Sequence, residues 1–322
     1  MYSAGKAAIR RLFFFAGLLS QLFSTNVQPA VEVADDRGLV LRREFPAQRV
    51  IALAPHLTEL VFAAGAGNRL VARVRGSDFP PEARAVAEVG DAAGLDFERI
   101  VALQPDLVLA WGSGNRRVDV QRLERLGLAV AVLEPRRLDD IQRHIRMLGV
   151  LLGTERSAQE SATAFALRAG RLREQYDGKL EVSVLFQAWH QPLITVNEEH
   201  LISDVLRLCG ARNAFGGLPQ LAAAVSPEQV LAADPDAIII GTEAQNADAN
   251  GWLRYRYLKS VRAGAIFTVS ADLIARQTPR VLDAADKICA DLDSVRDRNP
   301  TPPHPPHPLS PALYPSRGEI YG

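Results

Sequence analysis

One phrase occurs twice in this chain. Glu98 to Trp111 reads ERIVALQPDLVLAW, and Glu228 to Gly241, 130 positions later, reads EQVLAADPDAIIIG. In both, a glutamate opens a short apolar stretch of helical spacing, a Pro-Asp pair stops it, and an aliphatic run follows as a strand. Such a helix–turn–strand unit is part of a βαβ crossover, so its recurrence predicts two similar α/β lobes. A length of 322 residues, about twice that of a typical single domain, accommodates both.

The surrounding rhythm agrees. From Arg49, RVIALA reads as a strand, TELVFAAGA (58–66) as a helix capped by Thr58, and NRLVARV as a second strand. DFERIVALQ is a short helix with Asp96 as N-cap, LVLAW a strand ending at Trp111, VDVQRLERLG a helix closed by Gly127, and LAVAVLE a further strand. These make an N-terminal lobe over 48–137. Over 138–178 the pattern changes: Leu138, Ile141, Ile145 and Leu148, then Ala162, Phe165, Ala169 and Leu172, recur at helical spacing with no strand between them. That segment predicts a long stiff helical connector, with Gly153–Thr154 as a potential break. The α/β rhythm resumes over 179–292, where Ser226 and Pro227 start one helix and PRVLDAADKICADL closes the lobe. Residues 299–322 hold eight prolines, too many for a packed core, and read as a disordered, locally extended tail.

The first residues predict export. Lys6, Arg10 and Arg11 precede the apolar run Leu12–Phe23, and no acid occurs before Glu32, the layout of a secretory signal peptide. Its 12 positions fall short of the roughly 20 apolar residues of a membrane-spanning helix, although an uncleaved anchor is the alternative. Residues 1–34 are assigned to signal and processing, and the destination is the periplasm. Export makes a disulfide between Cys209 and Cys289 chemically possible; two buried free thiols are the other reading. A bridge closing about 80 residues would contribute about 4–5 kcal/mol in the chain-entropy model.

Composition excludes some partners. Lys plus Arg equals Asp plus Glu at 37 each, and no basic stripe is interleaved with aromatics, so nucleic acid is not expected. Enzymatic signatures are missing: GAGNRL lacks the third glycine of a dinucleotide loop, and no phosphate-binding loop, nucleophile elbow or His-Glu-x-x-His occurs. His304 and His307 in the proline-rich segment read as solvated tail residues. Glu98 and Glu228 each fall at the second position of a helix. Singly, each complements a helix dipole, worth about 0.3–1 kcal/mol. As a pair they are two acidic points at corresponding places on two lobes, a match for a two-fold partner with basic patches.

RVIALAPHLTELVFAAG, SDFPPEA, DFERIVALQPDLVLAW, ISDVLRLCGARNAF, VSPEQVLAADPDAIII and TPRVLDAADKIC together resemble the periplasmic cobalamin-binding proteins of ABC importers. The resemblance covers 48–292 and its motifs are shared by the wider family of cobalamin, haem and iron-siderophore receptors. It implies two Rossmann-like lobes joined by one long rigid α-helix, with ligand in the cleft between them and no catalysis. It further implies a monomer that docks through Glu98 and Glu228 onto the two subunits of a permease homodimer, and a Cys209–Cys289 bond.

For the ligand, the resemblance places Trp111 against the macrocycle, Asp272 and Arg276 in a polar cluster on the second lobe, and Trp189 in an aromatic segment. Pro55 and His56 occupy the loop after the first strand. Three family aromatic positions carry Gly76, Ala92 and Ala222 instead. The smaller aromatic inventory suits a corrinoid lacking its nucleotide loop, or a haem. His56 and His190 each follow the first strand of a lobe, so equivalent lobes would aim both imidazoles into the cleft as axial ligands to cobalt or iron. A polar rim role for both is the plainer reading. A corrinoid receptor is the leading expectation; a haem or ferric-siderophore receptor of the same fold, and an extracytoplasmic enzyme on a two-lobed scaffold, are the alternatives.

Overall fold

The computed structural model of the protein describes residues 31–91, 93–242 and 249–298. The expected signal segment over 1–30, Ala92 and the proline-rich segment 299–322 lie outside the described residues.

The chain enters through an antiparallel hairpin of β1 (Val31–Ala34) and β2 (Val40–Arg43). Residues 31–34, assigned above to the processing region, are therefore part of the fold. Val31 is buried, and just beyond β1 Asp36 meets His144 at 2.7 Å and Arg143 at 2.6 Å on the connector.

Lobe one follows: β3 (Val50–Ala52), α1 (Pro55–Ala63), β4 (Leu70–Arg73), β5 (Ala87–Glu88), the two-residue strands β6 (Gly90–Asp91) and β7 (Gly94–Leu95), α2 (Phe97–Ala102), β8 (Leu107–Trp111), α3 (Arg117–Arg125) and β9 (Val130–Leu133). Its main sheet is parallel with strand order β5-β4-β3-β8-β9. The helix predicted from Thr58 starts earlier, because Pro55 supplies a pre-set first turn; Thr58 is inside α1 and buried.

The connector is helical but in two pieces, α4 (Leu138–Leu152) and α5 (Glu155–Tyr176). Gly153 ends α4 in the left-handed region at φ 60°, and a Cβ there would lie 2.9 Å from Pro46, so only glycine fits the turn. Gly149 lets the two helices touch: a Cβ on it would sit 2.4 Å from that of Ala158. The single straight rod is thus a packed pair. The 22 residues of α5, about 33 Å long, bury Ala158, Ala162, Phe165, Ala169, Leu172 and Tyr176 along one face.

Lobe two comprises β10 (Val182–Gln187), β11 (Ile194–Val196), α6 (Leu201–Leu208), β12 (Ala211–Asn213), β13 (Ala222–Ala224), α7 (Pro227–Ala233), β14 (Ala237–Thr242), α8 (Lys259–Arg262), β15 (Ile266–Ser270), α9 (Ala271–Ile274) and α10 (Val281–Arg298). Its sheet, β12-β10-β14-β15, is parallel, and a Cys209–Cys289 disulfide ties α6 to α10. One apolar core runs from lobe one through both connector helices into lobe two, joining Val50, Leu57, Leu148, Phe165, Val184 and Ile288.

The repeated phrase is the same device twice. Gln104 (φ 46°) and Asp234 (φ 43°), each the residue before the proline, turn the chain off the helix in the left-handed region. The aspartate after the proline then clamps the incoming strand to its neighbour. Asp106 accepts the backbone N–H groups of Gln48 (2.8 Å) and Arg49 (3.1 Å), and Asp236 accepts that of Ser183 (3.0 Å).

Candidate functional site

In a parallel sheet all strands end on one side, and ligands collect there. β3, β4, β8 and β9 of lobe one end toward β10, β14 and β15 of lobe two, so the loops after them line an interlobe cleft. α2 and α7 run antiparallel to the strands they precede. Their first turns, with Glu98 and Glu228 at the second position, therefore open on the cleft side of each lobe. Both glutamates are exposed and neither makes an ion pair among the described residues. Ser226 beside Glu228 hydrogen-bonds its carboxylate and lowers its pKa.

Trp111 ends β8, and its ring meets His56 of α1 edge to face, with centroids 5.0 Å apart at 82°. His56 is only 3% exposed and its Nε2 has no partner. Burial, aided by the neighbouring His144 ring and the Arg276 guanidinium, depresses its pKa to about 3, so the ring is neutral. His190 is exposed. The expected equivalence of the two histidines is not realised, for a local reason. α1 begins at Pro55 directly after β3 and draws His56 into the lobe, whereas β10 is followed by a turn into β11 that leaves His190 outside. Trp189 on that turn is 53% exposed, its Nε1 donating to the Gln191 carbonyl at 3.0 Å.

Arg276 and Asp272 do come together, at 2.8 Å, but Arg276 also reaches across the cleft. Its guanidinium donates to Glu59 (3.0 Å), Asp78 (3.0 Å) and the Gly76 carbonyl (3.1 Å) of lobe one. Arg280 joins it on the same Glu59 oxygen at 3.2 Å and covers the Phe79 ring at 3.9 Å. Glu59, 4% exposed, keeps its other oxygen unpartnered. Sequence reading missed Glu59, although a lone acid within the apolar helix TELVFAAG was the available signal.

Two interlobe spaces flank this cluster. A cavity of about 650 Å³ is lined by Gly76, Asp78, Thr242, Ser270, Asp272 and Arg276, among others. Gly76 lies on its wall, and Ala222 is exposed on β13, so neither position fills space with an aromatic ring. On the other side, a pocket of only about 10 Å³ is bounded by Trp111, Glu134, Arg136, His200, Leu221 and Gln277. A third cavity of about 660 Å³ lies at the opposite, N-terminal ends of the lobe-two strands, beside Val182 and Asp236, away from the cleft. Among the described residues no three His, Cys, Asp or Glu side chains are grouped to hold a metal ion.

Residues 50–265 match the family described as periplasmic binding protein. The chain belongs to that family. Vitamin B12-binding protein of Pectobacterium carotovorum is 38% identical over 250 residues, covering 77% of this chain and 89% of the relative. Its counterpart in Vibrio cholerae is 35% identical over 253 residues, covering 78% and 91%. The solved periplasmic vitamin B12 binding protein BtuF of Vibrio cholerae superposes with a TM-score of 0.73 at 34% identity, covering 78% of this chain and 99% of that one. A periplasmic haem-binding protein of Pseudomonas aeruginosa shares the fold, with a TM-score of 0.67 at 22% identity, covering 76% and 92%. The protein is thus the solute-binding component of an import system, with a small molecule and a membrane permease as partners.

Proposed function

We propose that the protein captures a cobalamin-type corrinoid between its lobes in the periplasm and delivers it to an ABC import permease. The observation that carries this reading is identity of 34–38% to proteins named for vitamin B12 binding, sustained over more than three quarters of the chain. Relatives named for haem fall near 20% and support the architecture alone. Two sides of the interlobe cleft support this reading: Asp272 and Arg276 line the larger cavity and offer polar groups, and Trp111 borders the small pocket on the other side and offers an aromatic ring. Pro55, Trp189 and His190 complete the proposed lining. His56 would have to leave its packing under Trp111 to reach a metal, so His190 is the more accessible axial ligand.

Because one core runs through both lobes and the connector, closure is limited. Docking rests on Glu98 and Glu228, one on each lobe, facing a permease made of two identical subunits. Their exposure, and the lack of ion-pair partners among the described residues, support that role. The double variant Glu98→Ala, Glu228→Ala is expected to weaken permease association in a reconstituted system while ligand affinity stays the same; equal association would return both to helix-dipole duty.

Calorimetric titration of the full chain with cyanocobalamin, cobinamide and haemin tests the ligand. Tight binding of either corrinoid is expected. Binding of haemin alone would move the function to haem uptake on the same scaffold.

A further inference from the structure

Of the four acceptors around the Arg276 guanidinium, three belong to lobe one: Glu59, Asp78 and the Gly76 carbonyl. The Arg276 side chain is 14% exposed and that of Glu59 3%, so solvent screens their contact little. Arg280 donates to the same Glu59 oxygen, and its guanidinium covers the Phe79 ring of lobe one. Lobe two thus reaches across the cleft with two cations, and lobe one answers both with a single buried carboxylate. The other ion pairs between the lobes among the described residues are Arg136–Glu199 and Arg137–Asp204. Their arginines are exposed and precede α4, where the connector already ties the lobes together, so these pairs contribute little.

Two guanidinium groups that share one oxygen repel each other, and the Glu59 charge offsets that repulsion. Arg276 has Asp78 and Asp272 in reserve. Arg280 has no second acid among the described residues. Neutralising Glu59 therefore frees Arg280 first, and leaves two like charges facing each other at the interlobe seam. Arg276 lines the large cavity, whereas Glu59 stands behind it and acts through it. We infer that Glu59 is a positioning residue: it clasps lobe two to lobe one through Arg276 and Arg280, and so sets both the lobe separation and the place of Arg276 on the cavity wall. Parting the lobes on this side pulls a buried carboxylate away from its cations, which is costly. A ligand in the cleft is then retained partly by a contact it does not touch. The inference needs only the interlobe geometry and holds for any ligand of the cleft.

Spin labels on Gln121→Cys and Arg256→Cys, exposed positions on lobes one and two, report lobe separation in the full chain by double electron–electron resonance. Glu59→Gln, nearly isosteric but neutral, should broaden the distance distribution and move it outward. Arg280→Met should do the same. It keeps an apolar side chain for Phe79 and leaves Glu59 paired with Arg276, so it covers the case in which the glutamine variant fails to fold. Arg136→Gln, which removes an exposed pair, should leave the distribution unchanged. With cyanocobalamin as the ligand probe, both clasp variants should release it about tenfold faster, with association little altered.

An unchanged distribution in both clasp variants, or equal broadening by Arg136→Gln, would overturn the clasp. Broadening with an unchanged release rate would overturn its part in ligand retention. A wild type that ignores cyanocobalamin would overturn the corrinoid reading, while the distance measurement still decides the clasp.

Discussion

The two lobes are alike where their strands begin and different where they end. At the beginnings, Gln104-Pro105-Asp106 and Asp234-Pro235-Asp236 perform one turn and one clamp, with left-handed backbone before the proline and a carboxylate on the neighbouring strand's N–H. At the ends, lobe one hides His56 beneath Trp111, while lobe two exposes Trp189 and His190 on a turn. Framework geometry is set by the backbone, which both lobes share. Cleft geometry answers to a ligand that is not itself symmetric, so equivalent positions there have no reason to carry equivalent side chains.

The largest test of this comparison uses the feature only lobe two has. Replacing Cys209 and Cys289 by serine should lower stability by about 4 kcal/mol, on the chain-entropy argument. Since a single apolar core links the lobes, the denaturant transition should shift as one. Separate transitions for the two halves would show that the connector does not couple them.

A somewhat smaller effect, ring by ring, comes from the two buried imidazoles, His56 in lobe one and His200 in lobe two. Both have folded pKa values depressed by burial, to about 3 and about 4 from 6.5. On acidification the unfolded chain takes up these protons first, so stability falls as pH drops from 6.5 toward 4. The expected slope is about 1.4 kcal/mol per pH unit for each ring, and stability is fully retained above 6.5. Urea melts of His56→Gln and His200→Gln should each show a shallower slope than the parent over that window. An unchanged slope in one variant would confine acid sensitivity to the other lobe.

Next in size are the clamps themselves. Asp106→Ala removes acceptors for two backbone donors, and Asp236→Ala removes that for one. Losses of about 2 and about 1 kcal/mol are expected, in that order, by chemical denaturation. Equal losses would mean that the second contact of Asp106 contributes nothing.

The smallest effect separates the two pre-proline residues. Gln104→Gly relieves a left-handed non-glycine backbone and should gain up to about 1 kcal/mol. Asp234→Gly relieves the same strain but loses the acceptor for the Lys259 N–H at 2.9 Å, and should come out neutral or worse. Thermal melts of the two variants decide it.

Most of the framework was legible in the sequence because it is written locally. Proline stops, aspartate and serine caps, and aliphatic runs act within a few residues of themselves; Asp96 and Ser226 cap α2 and α7 as their positions predict. The connector was legible in its helical period. Its fold into two packed helices depended on Gly153 meeting Pro46, more than a hundred residues away in sequence. The family motifs led to Trp111, Asp272 and Arg276, yet not to what Arg276 touches.

By itself, then, the sequence determined two α/β lobes, their helical linkage, the paired glutamates at equivalent helix starts and the family to which the chain belongs. Only the tertiary structure decided that His56 is sealed and His190 open, that Arg276 and Arg280 converge on Glu59 across the cleft, and that Trp111 and Gln277 border one small pocket between the lobes. The physical reason is range. Backbone preferences and capping act over one turn, whereas burial, desolvation and the pairing of charges more than two hundred residues apart exist only once the chain has closed on itself.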